Sequence, residues 1–171
     1  MVGMRTGAYP GTFDPPTTAH VAIAEAARRQ CGLDAVDFVV NAGPLGKSGV
    51  RPLESRVAML SALTNGRPWL RVVVTDRLHL ADIAESYDVL VLGADKWAQV
   101  LDPAFYGSAE ERDAAVARLP LLAVAPRGGL PVPDACVVLE IDAALAEVSS
   151  TAARAGRLDV VAPEARSLLG S

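Results

Sequence analysis

Several short runs in this chain place apolar side chains on consecutive residues, and that feature restricts the fold more than any other. A strand with one face in water alternates apolar and polar residues, whereas LRVVV at 70–74 and DVLVLG at 88–93 do not. Consecutive apolar residues need cover on both faces of a sheet. Helices must therefore lie above and below it, which is the situation of parallel strands joined by crossovers.

Six such runs recur, Arg5–Tyr9, Ala35–Asn41, Leu70–Thr75, Val89–Gly93, Leu121–Ala125 and Cys136–Ile141. Helical stretches separate them. Thr18–Gln30 follows Pro15-Pro16, is capped by threonine and stops near Gly32. In Pro52–Leu63 proline opens the helix, and Leu53, Val57, Leu60 and Leu63 form one apolar stripe, leaving Glu54 and Arg56 to reach elsewhere. Ser108–Leu119 has acids in its first turn and arginine near its end, matching the helix dipole. Ser150–Gly156 and Pro163–Leu169 read as short closing helices. The alternation predicts a Rossmann-like α/β fold, a doubly wound parallel sheet of about five to six strands with helices on both faces. No internal repeat or linker divides the chain, so one domain is expected over residues 1–171, with its closing region at 148–171.

Composition narrows the function. The chain is 51% hydrophobic with a net charge of −4, which excludes global disorder and disfavours a nucleic-acid binder relying on a broad basic field. No apolar run approaches the roughly 20 residues of a spanning helix, and the first residues lack a secretory apolar region, so no membrane partner and a cytoplasmic location are expected. Cys31 and Cys136 form no Cys-x-x-Cys pair, and His20 and His79 make no zinc-ligand cluster, so neither a disulfide framework nor a dedicated metal site is expected.

Ligands of such a sheet bind beyond the carboxyl ends of its strands. The first loop there reads GTFDPPTTAH, residues 11–20. Gly11 lets backbone approach a ligand, and the following helix start offers N–H groups to phosphate. Thr17 and His20, three residues apart, share one side of the first turn and are expected to donate to the same phosphoryl group. AGPLGKS lacks the first glycine of a Walker A loop, having Asn41 there, and no G-x-G-x-x-G occurs.

GTFDPPTTAH resembles the signature loop of the nucleotidyltransferase superfamily, G-[ST]-F-D-P-x-[HT]-x-G-H, with Thr17 and His20 in the two positions of its HxGH element and Ala19 in place of the usual glycine. The preceding AYP and the threonine at the first position are similar to phosphopantetheine adenylyltransferases. VSSTAAR at 148–154 resembles the superfamily's ISSTxxR element. GAD at 93–95 and LAVAPRGG at 122–129 resemble segments of nicotinate and nicotinamide mononucleotide adenylyltransferases, although the chain between Asp76 and Tyr87 is shorter than theirs.

The resemblance implies transfer of AMP from ATP to a phosphate-bearing acceptor. It makes His20, Thr17, Lys47 and Arg154 the catalytic set, and gives nucleotide contacts to Gly11, Thr12, Phe13, Gly93, Asp95, Arg127, Ser149, Ser150 and Thr151. Mg²⁺ is implied as a passenger on ATP, with no protein metal site. The implied partners are ATP and a phosphorylated small molecule, nicotinate or nicotinamide mononucleotide first, phosphopantetheine second. Cytidylyl transfer and a non-catalytic nucleotide-binding module stay open. Asp95 is read equally as a helix cap, Asp14 as a turn former, Trp69, Trp97 and His79 as structural, and Arg51 and Arg56 as charges outside the site. One geometric expectation underlies all of this: the opening turn and the hydroxyl-rich closing turn must meet around one polyphosphate.

Overall fold

In a computed structural model, which describes residues 3–43 and 48–170, the strands β1 (Thr6–Gly11), β2 (Ala35–Asn41), β3 (Leu70–Thr75), β4 (Val89–Gly93), β5 (Leu121–Ala125) and β6 (Cys136–Val138) form one six-stranded sheet. Its order is β3-β2-β1-β4-β5-β6 and every pairing is parallel. The order reverses between β1 and β4. Two crossovers run outward from β1 on one side and the rest on the other, so the crevice of a doubly wound sheet lies at the ends of these two strands.

The helices are α1 (Thr18–Cys31), α2 (Leu53–Leu63), α3 (Leu80–Ala84), α4 (Ala94–Leu101), α5 (Ala109–Ala117) and α6 (Ser150–Arg154). α1 stops at Gly32, whose φ of 61° is left-handed and costs glycine little. The closing stretch Pro163–Leu168 is 3₁₀ rather than α. β6 ends at Val138, three residues before the sequence pattern does.

Successive strand residues fall into two separate apolar layers, as the unbroken runs require. Val89 and Val91 of β4 pack under α1 and α2 with Met59, Leu60 and Leu63, while Leu90 and Leu92 pack with Ile83, Trp97 and Val100 of α3 and α4. Each fully buried aliphatic side chain here contributes about 1.5–3 kcal/mol. Trp97, 9% exposed, belongs to this second layer, and Trp69 packs against the first with the Arg28 guanidinium over its ring. No helix among the described residues is long and apolar enough to cross a membrane.

Candidate active site

The chain leaves β1 through Gly11, where a Cβ would lie 2.8 Å from the Phe13 ring. Glycine thus lets Phe13 fold back beneath the turn. Phe13 adopts a left-handed φ of 51°, which only its burial against Tyr9, Phe38 and His20 sustains, with ring centroids 4.8–5.5 Å away. The Asp14–Pro15 peptide is cis. Asp14, 1% exposed, accepts from the Arg51 backbone N–H at 3.0 Å and from its guanidinium at 2.7 Å, so it shapes the loop as expected of it.

Thr17 caps α1 in an unusual reciprocal arrangement. Its hydroxyl accepts the His20 backbone N–H, and His20 Nδ1 accepts the Thr17 backbone N–H at 2.8 Å, putting histidine where a capping box normally has glutamate or glutamine. Because Nδ1 is an acceptor, this bond assigns the ring proton to Nε2, the opposite edge of the imidazole. Thr17 itself is wholly buried. It holds His20 from below, and the expectation that both side chains present themselves to one phosphate meets this burial.

Arg56 departs furthest from its sequence reading as a charge outside the site. It is 2% exposed, and its guanidinium donates to four backbone carbonyls, Arg51, Thr12, Asn41 and Ala42, at 3.0–3.4 Å. It thereby ties the turn after β1 to the segment after β2. Burial pulls its pKa down, with Asp14 opposing. Arg56 lies three residues after Leu53 and four before Leu60, on the same helix face as the apolar stripe, and that spacing was the available signal.

The closing turn docks on the opening one. Ser149 caps α6 by accepting the Ala152 N–H at 3.1 Å, and Ser150 Oγ donates to the Pro15 carbonyl at 2.8 Å. The Arg154 guanidinium donates to the Asp14 carbonyl and to Thr151 Oγ1. Further on, the Ala162 N–H reaches the Pro16 carbonyl at 3.0 Å, and Thr17 forms a β-bridge with Val161.

These contacts enclose a cavity of about 240 Å³ at the carboxyl ends of β1, β4 and β5. Gly11, Thr12, Phe13, His20, Gly93, Asp95, Arg127, Ser149, Ser150, Thr151 and Arg154 all line it; Thr17 lies beneath, and Lys47 falls outside the described residues. Asp95 does not cap α4; its carboxylate faces Arg127 at 3.9 Å. A Cβ on Gly93 would sit 2.5 Å from Asp95 Oδ1, so glycine there makes room for that orientation. Burial, reinforced by Asp95 and opposed by Arg127, raises the Tyr9 pKa and keeps its phenol neutral. Among the described residues, no group of three or more His, Cys, Asp or Glu converges to hold a metal.

A smaller cavity of about 120 Å³ lies on the other side of Gly11 and Thr12, against α3 and α4. His79, read as structural, borders it and stacks on Tyr106 at 5.4 Å. Its walls come from several remote segments, among them the signature loop at Gly11 and Thr12 and residues 78–83 of the stretch that is shorter than in the mononucleotide adenylyltransferases.

Comparison with known sequences defines the class: residues 8–156 match the cytidylyltransferase-like family, to which this chain belongs. More particular likenesses lie with adenylyltransferases. A probable nicotinate-nucleotide adenylyltransferase of Dehalococcoides mccartyi is 35% identical over 75 residues, 43% of this chain and 37% of that protein. A phosphopantetheine adenylyltransferase of Rhizorhabdus wittichii is 37% identical over 89 residues, 52% of each chain. The aligned segments thus span between about a third and half of these relatives' lengths. The nicotinic acid mononucleotide adenylyltransferase of Plasmodium falciparum, solved in complex with NaAD, shares the fold with a TM-score of 0.72 at 13% identity, over 98% of this chain and 95% of that one.

Proposed function

We propose that this protein transfers the adenylyl group of ATP to the phosphate of nicotinate mononucleotide, releasing pyrophosphate. The observation that carries the reading is the meeting of the opening and closing turns on one cavity lined by His20, Arg127, Arg154 and the Ser149 and Thr151 hydroxyls. The curated Dehalococcoides relative is named for a nicotinate nucleotide, which agrees with it.

In this reaction an acceptor phosphate oxygen attacks the α-phosphorus in line. The new P–O bond forms as the α–β bridging P–O bond breaks, and the electron pair leaves on pyrophosphate. The protein must align two anions and stabilise the charge that moves between them. His20 Nε2–H donates to an α-phosphate oxygen. Thr17 acts through His20, fixing its tautomer and angle from below. Arg154, Thr151 and Ser149 hold the leaving pyrophosphate, whereas Ser150, already donating to Pro15, shapes the turn. Arg127 serves the nucleotide beside Asp95, and Lys47 keeps the place in the catalytic set that the resemblance gives it. Mg²⁺ enters on the triphosphate, where it neutralises charge on the leaving group.

Phosphopantetheine is the second reading for the acceptor, favoured by threonine at position 17 and by the Rhizorhabdus relative. Pyrophosphate release with ATP or CTP, tested against nicotinate mononucleotide, nicotinamide mononucleotide and phosphopantetheine, decides between them. Turnover with ATP and nicotinate mononucleotide is expected. Turnover with phosphopantetheine alone selects the second reading, turnover only with CTP makes the protein a cytidylyltransferase, and tight ATP binding without pyrophosphate from any acceptor makes it a nucleotide-binding module.

A further inference from the structure

Tyr9, the fourth residue of β1, is 5% exposed and belongs to the first apolar layer, where its ring centroid lies 5.5 Å from that of Phe13 and 5.6 Å from that of Phe38. Phenylalanine would pack there equally well. What tyrosine adds is a hydroxyl, and no group among the described residues hydrogen-bonds to it. A buried phenol ordinarily finds a partner inside the protein, because a hydroxyl taken out of water unpaired is destabilising. The other two tyrosines of the chain follow that rule: Tyr87 donates to Asp37 at 2.7 Å and Tyr106 to the Val100 carbonyl at 3.1 Å.

Among the described residues, no side-chain oxygen or nitrogen is both sealed from solvent and unpaired. The Tyr9 oxygen therefore opens onto the surface its residue lines, the wall of the larger cavity. Two sets of neighbours define its place there. The His20 ring lies 6.0 Å from the Tyr9 ring, and Asp95 and Arg127 are near enough for their charges to act on the phenol in opposite senses. The hydroxyl thus borders both the group that takes the α-phosphate and the pair beside the nucleoside. A nucleotide laid between them spans the interval with its sugar. A sugar hydroxyl is neutral and both donates and accepts, and a protonated phenol complements it in the same terms; burial keeps the Tyr9 proton in place.

We propose that the Tyr9 hydroxyl is a specificity-determining contact to the ribose of the bound nucleotide, hydrogen-bonding a sugar hydroxyl and so favouring ribonucleotides over deoxyribonucleotides. The assignment rests on the adenylyl-transfer reading for where the nucleotide lies, but it concerns binding and is measured without turnover.

Calorimetry on the whole chain compares ATP with its 2′-deoxy and 3′-deoxy forms, and CTP with the same two forms, in wild type and in Tyr9→Phe. Wild type is expected to bind one ribonucleotide about fivefold more tightly than one of its deoxy forms, the scale of a neutral hydrogen bond. Tyr9→Phe loses that factor for the ribonucleotide, while its affinity for the deoxy form stays within about twofold of wild type, because the two deletions remove the same bond. With no internal partner lost, Tyr9→Phe melts no more than about 3 °C below wild type. The proposal is overturned if Tyr9→Phe keeps the preference, if it weakens ribo and deoxy forms by the same factor, or if wild type shows no preference or binds neither nucleotide. A larger fall in melting temperature also overturns it, since the hydroxyl then serves the fold. A preference that Tyr9→Phe abolishes, in a protein that releases no pyrophosphate with any acceptor, sinks the transferase reading and leaves the Tyr9 assignment standing. Turnover together with a preference that survives in Tyr9→Phe does the reverse.

Discussion

The two turns that meet at the large cavity are built differently. In the opening turn Phe13, Asp14 and Thr17 are each no more than 2% exposed, held by aromatic packing, an ion pair and the Arg56 brace. The closing turn rides on a helix of five residues that leaves Thr151 and Arg154 exposed. So short a helix has little stability of its own. Its position comes from Ser150 and Arg154 donating to the carbonyls of Pro15 and Asp14. One turn is a preorganised platform. The other is fitted to it.

That asymmetry can be broken from beneath. Arg56→Met strips four carbonyls of their shared donor, and unfolding in urea should show a loss of about 3 kcal/mol. A loss under about 1 kcal/mol would mean the platform stands without its brace. Next in size, His20→Ala should lower turnover by about 10²-fold, equivalent to ~2.7 kcal/mol of transition-state stabilisation, while the variant still melts cooperatively. Unchanged turnover would remove His20 from the chemistry.

The fitted side gives smaller effects. Ser150→Ala cuts one tie to Pro15, and about 1 kcal/mol of stability is expected to go with it, along with a roughly threefold rise in the KM for ATP and little change in acceptor KM. An equal rise for both substrates would contradict the division between platform and fitted turn. The smallest effect concerns Glu164, whose own backbone N–H and the Arg67 guanidinium hold its carboxyl below the usual range. A depressed carboxyl pKa contributes stability above the unfolded-state value and loses it as pH falls through the folded one. For this partly exposed pair the contribution is about 0.5 kcal/mol, so Glu164→Gln should flatten the acid limb of the stability curve slightly and leave neutral-pH activity intact.

Much of the sheet was legible because covered strands carry a signal that does not depend on tertiary detail. β2 to β5 begin and end where the unbroken apolar runs do. α4 also had a signal, with Ala94, Trp97 and Val100 recurring at helical spacing and all three buried, although the functional motif GAD overlay it. α3, at five residues, is too short for periodicity to register. The site divides likewise. Motif residues such as His20 and Arg154 stand out because their chemistry is local to a turn, and the structure brings them to one cavity. Arg56 is only partly legible: its place on the apolar face signals burial, but not the four backbone carbonyls that receive its guanidinium. The smaller cavity was harder to see, because its walls are contributed by segments distant from one another in sequence.

The sheet's first strand lies in its interior, and the turn that follows receives partners from far along the chain, Ser150, Arg154, Val161 and Ala162. During synthesis β1 has both its neighbours, β2 and β4, available before Ser150 leaves the ribosome. Nascent molecules therefore pass through a stage that has the scaffold's central pairing and lacks one side of the cleft, which closes only once the segment from Ser149 to Ala162 has emerged.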